Sequence, residues 1–268
     1  MSNIQEICRN VRKDIVTTLA AAGCGHPGGS LSAVEIVTEL YFDKMHVDPA
    51  NPRDPDRDRF VLSKGHATLM MYSVLAKRGY FPVEELKSFR KNWSRLPGHP
   101  DMNKVPGIDM TSGSLGQGLA AANGMALAGR LQNKSYDVYV LMGDGELQEG
   151  MIWEAAMAAA HYKLDHVIAF VDRNGLQIDG TTEQVMGLEP LADKWQSFGW
   201  HVQEVDGHDT EALSAAVDAA KAAKGQPSII IARTVKGKGV SFMENNVAFH
   251  GKAITQEQAA MAMAEMEG

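Results

Sequence analysis

Residues 136–150 read YDVYVLMGDGELQEG, and residues 172–176 read Asp172-Arg173-Asn174-Gly175-Leu176. The first seven residues are an almost unbroken apolar run. A run that short, without alternation, predicts a strand buried on both faces of a parallel sheet. Gly143, Asp144 and Gly145 then fall at the carboxyl end of that strand, where open α/β sheets bind ligands. A helical face follows over 148–162. A second apolar strand over 166–171 delivers Asp172, Arg173 and Asn174.

Asp144 and Asn174 are 174 − 144 = 30 positions apart, room for one crossover helix and a return strand. An Asp144 carboxylate oxygen, an Asn174 amide oxygen and the Leu176 carbonyl make an all-oxygen donor set. Magnesium suits such a set, with calcium or manganese as alternatives; a cation of this kind takes its remaining ligands from phosphate and water. Gly143 and Gly145 flank Asp144 and let diphosphate oxygens approach the backbone. GDG followed at this distance by Asn resembles the thiamine diphosphate motif. The same residues also allow a plainer reading, in which Asp144 caps the helix and Asn174 makes a turn.

The length of 268 residues allows one large α/β domain, with a loop-rich tail from about residue 235. A net charge of −7 argues against nucleic acid and anionic membrane surfaces as partners. No apolar run approaches the ~20 residues needed to span a bilayer, and the first ten residues hold no apolar signal core. Cys8 and Cys24 form no CxxC pattern, so a reducing cytoplasm and two inert thiols are the expectation.

Taken in order, 4–22 reads as an amphipathic helix, with Ile4, Ile7, Val11, Ile15 and Leu19 on one side. A second helix is expected over 31–42, capped by Ser30 or Ser32. A strand follows over 59–63, then a helix to about Arg78 and a short one from Pro82. Residues 93–111 have no periodicity; a loop that long is often functional. A helix opens in the segment 113–118 and runs to about Leu131. After the central unit come a helix over 191–198, a strand over 200–205, a helix over 210–223, the strand SIIIAR over 228–233 and a terminal helix over 255–266. Alternating strands and helices predict a doubly wound, mostly parallel sheet.

Four of the nine histidines have glycine neighbours in loops: His26 in GHPGGS, His66 in SKGHA, His99 in LPGHPDM and His250 in AFHG. Imidazoles so placed are open to a ligand and suit proton transfer near neutral pH. The set GHPGGSLS, LSKGHA, PGHP, SGSLGQGL, GDGELQEG, DRNGLQIDG, VDGHD and AFHG, in this order over about 10–252, resembles the transketolase family. The part it covers is that family's first domain, which binds the cofactor diphosphate. A chain of this kind resembles the N-terminal subunit of a split transketolase.

The resemblance implies a thiamin diphosphate-binding fold, ketol transfer between sugar phosphates and thiamine diphosphate as cofactor. It places the metal on Asp144, Asn174 and Leu176. Gly143, Gly145, Glu146, Asn174, His66 and His250 would contact the cofactor, beside Gly113, Ser114 and Leu115. His26, His99 and His250 would face the sugar and handle protons. Glu149 and Glu154 match acids at the family's subunit contact, and His208 is read as closing a turn. The implied partner is a C-terminal subunit carrying the pyrimidine-binding domain, in an α2β2 heterotetramer. Arg173-Asn174 stands where many members have Asn-Asn, and TVKGKGVSF is as similar to deoxyxylulose-phosphate synthase. Alternatives are therefore such a synthase, a 2-oxo acid dehydrogenase α chain, or a non-catalytic cofactor-binding regulatory subunit.

Overall fold

The computed structural model describes residues 4–267. The chain runs through helices α1 (Ile4–Ala22), α2 (Pro27–Leu31) and α3 (Val34–Glu39), then β1 (Arg59–Leu62), α4 (Thr68–Arg78), α5 (Gly118–Leu131), β2 (Val138–Gly143), α6 (Gly150–His161) and β3 (Val167–Arg173). A small hairpin, β4 (Leu176–Gln177) and β5 (Gly180–Thr181), leads to α7 (Thr182–Val185) and α8 (Leu191–Ser197). β6 (His201–Asp206), α9 (Thr210–Ala222), β7 (Ser228–Arg233) and α10 (Gln256–Glu267) follow.

Among the described residues, five strands form one parallel sheet in the order β1-β2-β3-β7-β6. The apolar runs decide this. In β2, Tyr139 and Leu141 face a core shared with α1, α3, α4 and α9, while Val138, Val140 and Met142 face a second core with α5, α6 and α8. β3 and β7 alternate in the same way, so both faces are covered and the sheet is doubly wound. Gly143 pairs with Asp172, and Asp172 with Ala232, so the carboxyl ends of β2, β3 and β7 lie level. No helix of the described residues is long and apolar enough to cross a membrane.

Several element boundaries differ from the sequence reading. The helix expected over 31–42 starts earlier, at Pro27, and breaks between α2 and α3. Pro27 fits the first helical turn, where its missing N–H costs nothing. Ser30 and Ser32 do not cap: Ser30 donates to the His26 carbonyl, and Ser32 donates to Asp172 at 2.6 Å. α5 begins at Gly118 rather than 113, because Gly113 and Gly116 sit at φ +145° and +84°. The hairpin β4–β5 and α7 have no counterpart in the sequence reading. Segment 93–111 is irregular as expected, yet Leu96, Val105 and Ile108 are buried and pin it to the core.

At the level of the strand ends, Asp172 is fully buried. It accepts from Ser32, Lys64, Thr234 and Asn174. Burial alone would raise its pKa, but Lys64 and the two hydroxyls hold it below the ordinary carboxylate range. Asp172→Ala leaves the buried Lys64 ammonium unpaired, and is expected to cost roughly 3–5 kcal/mol in urea denaturation. A loss under about 1 kcal/mol, the scale of an ordinary hydrogen bond, would show the pair to be dispensable.

Candidate active site

The strand ends open into a cavity. Its lining includes Leu115, Gly143, Asp144, Gly145, Glu146, Asn174, Leu176, His66 and His250, all candidates from the sequence. Lys64, Gln177, Ile178 and Lys236 line it as well, and no sequence pattern marks them. In SKGHA the histidine is the conspicuous residue, yet Lys64 sits 1% exposed beside it. Nothing in TVKGKGV separates Lys236, which enters the cleft, from Lys238. Gln177 and Ile178 belong to the hairpin that the sequence does not signal.

The three expected metal donors line the same cavity. Asp144 accepts from Gly145 N at 2.8 Å, Gly175 N at 2.6 Å and Arg173 at 3.2 Å. Asn174 Oδ1 accepts from Leu176 N at 3.1 Å, and the Leu176 carbonyl accepts from the Lys236 ammonium at 3.2 Å. The capping and turn roles allowed by the sequence are thus present in the same residues. Burial, then the neighbouring Asp172 carboxylate, push the Asp144 carboxyl above its ordinary range, against Gly175, Arg173 and Lys236. A cation beside Asp144 would offset both effects. Among the described residues no group of three or more His, Cys, Asp or Glu forms a metal cluster.

Glu146 lines the cavity and is also tied to the surrounding backbone. Its carboxylate accepts from Ser63, from Gly116 N at 2.9 Å and from Gly143 N at 3.0 Å. It is 2% exposed and braces the segment 113–118 against the end of β2. Gly113, Ser114 and Leu115 are exposed, and of the three only Leu115 lines the cavity. A Cβ on Gly113 would fall 2.9 Å from the His99 ring, so glycine lets that ring lie close to the segment. Glu149 and Glu154 lie outside the cavity lining, exposed at the start of α6.

The four loop histidines meet. Ring centroids lie 5.3 Å apart for His26–His66 and for His66–His250, 5.7 Å for His26–His250 and 6.4 Å for His26–His99. Burial lowers the pKa of all four, and nearby Lys236, Lys64, Arg90 and the other imidazoles lower it further; His250 falls to about 4. The same burial presses Lys236 down to about 8. Two buried polar atoms of the lining, His250 Nδ1 and Gln177 Nε2, have no protein partner. Unsatisfied polar atoms among cations and neutral imidazoles suit an anionic, oxygen-rich ligand. His208 bears out its structural reading, bonding Glu35 and Val235 N rather than the cleft.

Residues 3–266 match the family described as transketolase, thiamine diphosphate binding domain. The chain belongs to the transketolase family. It is 49% identical over 265 residues to a 6-deoxy-6-sulfo-D-fructose transketolase subunit of Clostridium sp. (strain MSTE9), covering 99% of this chain and 96% of that protein. An apulose-4-phosphate transketolase subunit of Phocaeicola vulgatus is 44% identical over 255 residues, covering 95% and 90%. Among solved structures, transketolase from Leishmania mexicana superposes with a TM-score of 0.93 at 33% identity. That match covers 100% of this chain but only 42% of the other. The chain is a transketolase-type transferase subunit with the family's α/β fold, similar in extent to relatives named as subunits.

The depressed histidines set a pH dependence. Above about 6.5 both folded and unfolded imidazoles are neutral, so they contribute no slope. Below it the unfolded chain takes up protons that the folded site refuses, until the pH falls through the folded values, about 4 for His250. Stability is therefore expected to drop from pH 6.5 toward 4. The drop should be shallower in His66→Gln and His250→Gln, read by urea denaturation across that range. Parallel curves for variants and wild type would contradict the assignment.

Proposed function

We propose that this chain is the diphosphate-holding subunit of a two-subunit transketolase, moving a two-carbon ketol unit between sugar phosphates. The observation that carries the reading is the clustering of His26, His66, His99 and His250, of which His66 and His250 line the cleft that also holds Asp144, Asn174 and Leu176. Thiamine diphosphate, when bound, supplies the carbon nucleophile and electron sink of ketol transfer. Asp144, Asn174 and the Leu176 carbonyl would hold magnesium or a similar cation. Lys236, His66 and His250 would hold the diphosphate, and Leu115 would back the ring. His26, His99 and His250, neutral at physiological pH, accept and return protons at the sugar's oxygens. Asp144→Ala is expected to weaken calorimetric binding of magnesium with thiamine diphosphate more than about a hundredfold, since even outer-shell changes at metal sites cost about ten- to a hundredfold. Unchanged affinity would sink the metal assignment.

The partner in this proposal is a C-terminal subunit with the pyrimidine-binding domain, assembled as α2β2. Relatives matched nearly end to end are named as subunits, which supports a divided enzyme. The names of those relatives differ in the sugar, so the remote end of the substrate is proposed to be read by the partner. The docking face is proposed on α5 and α6, where Leu131 is 85%, Met157 52% and Met151 40% exposed, next to Glu149 and Glu154. Residues 1–268 are taken as one domain and the compartment as the cytoplasm. The purified chain, saturated with cofactor and magnesium, is expected to self-associate through this face and to show no ketol transfer with ketose phosphates. Turnover by a chain verified free of any partner would overturn the divided-enzyme reading.

A further inference from the structure

The turn that carries Lys236 is held from behind by residues outside the cleft. Val235 N–H donates to His208 Nε2 at 2.8 Å, and the Lys238 carbonyl accepts from Arg12 Nε at 3.0 Å. These two anchors flank Lys236, itself 3% exposed with its ammonium in the cavity. Both anchors lead to one carboxylate. Arg12 forks onto Glu35 at 2.6 and 2.7 Å, and His208 Nδ1 lies 2.9 Å from Glu35 Oε2. Against the upward push of burial, the His208 hydrogen bond and the Arg12 guanidinium hold the Glu35 carboxyl down at about 2.

The geometry fixes the tautomer. A backbone amide only donates, so His208 Nε2 presents its lone pair to Val235 and the ring proton sits on Nδ1, donated to Glu35. Glu35 therefore selects the form of His208 that the turn needs. On the other side of the turn, Gly237 N donates to the Gly28 carbonyl at 3.0 Å, in the helix that begins just after His26. A Cβ on Gly239 would come 2.9 Å from Arg12 Cδ, so the Arg12 anchor requires glycine there.

We propose that His208 is a positioning residue for Lys236, fixing through Val235 the turn that presents the ammonium to the diphosphate, with Glu35 and Arg12 locking its tautomer and the second anchor. The inference rests on the reading of the cleft as a diphosphate site. It goes beyond closing a turn, because it couples a network on α1, α3 and the β6–α9 connection to ligand affinity.

Two conservative variants of the full chain separate this role from simple packing. In His208→Gln the side-chain oxygen reaches the place of Nε2 and accepts from Val235. In His208→Asn the amide reaches only the place of Nδ1 and donates to Glu35. Hydrogen–deuterium exchange at the Val235 amide is expected to quicken about tenfold in the Asn variant and to stay near wild type in the Gln variant, with β7 amides unchanged in both. Calorimetric affinity for magnesium pyrophosphate should follow, about tenfold weaker for Asn and within about twofold for Gln. Lys236→Met, with the brace intact, should weaken it at least as much as Asn does.

Wild-type affinity in either the Asn or the Lys236→Met variant would overturn the inference alone, and so would a Gln variant as impaired as Asn. If the Asn variant does not fold, unchanged affinity in Lys236→Met is still sufficient to overturn it. A wild-type chain that binds no magnesium pyrophosphate overturns the reading of the cleft, and the role in ligand affinity with it.

Discussion

The buried Asp172 carboxylate is the point on which the cleft depends. It is reached by Ser32 at the α2–α3 break, Lys64 after β1, Thr234 after β7 and Asn174 after its own strand. Lys64 extends the tie by donating to the Gly29 carbonyl at 2.9 Å. Four segments far apart in sequence are thereby fixed at one height above the sheet, and three of them carry or adjoin a residue of the cavity lining, Lys64, Asn174 and Lys236. A buried ion pair is weak evidence for net stability, because desolvation consumes much of what attraction returns. Its value here is placement: unsatisfied charge makes any other arrangement of these loops costly.

Electrostatics then sorts the cleft. Ammonium groups at Lys64 and Lys236 lie under a roof of imidazoles that burial and like charge keep neutral. The ammonium groups favour an anion, and the neutral imidazoles retain lone pairs. Asp144 is the exception, a carboxyl that burial and the Asp172 charge raise above its ordinary range against Gly175, Arg173 and Lys236. One cleft thus brings carboxyl, ammonium and imidazole groups together in separate places.

Much of this was legible in the sequence, because strand ends concentrate function and apolar runs locate strands. YDVYVLM and SIIIAR fixed two central strands within two residues, and the interval from Asp144 to Asn174 placed the oxygen donors on adjacent strand ends. The histidines could be nominated but not assembled: their convergence depends on loop paths between strands, which no local pattern encodes. Lys64, Asp172 and Lys236 escape notice for a related reason. A buried lysine looks like a surface lysine until its partner, 108 positions away in the case of Lys64 and Asp172, is brought beside it. Ser32 similarly looks like a helix cap, and the competing carboxylate across the sheet wins.

The glycines of these loops carry a consequence for how such a chain can change over generations. A Cβ on Gly65 would come within 2.8 Å of Gly113 N, and one on Gly118 would overlap the Ser63 side chain. On Gly29 it would meet His66 and Lys64 at 3.2 and 3.4 Å. None of these glycines offers a reactive group, yet a single added methyl at Gly65 or Gly118 forces the walls of the cleft to shift. The mutational target for losing activity is therefore wider than the set of chemically active residues. Drift is correspondingly steered away from these walls and onto surfaces where an added methyl meets open space.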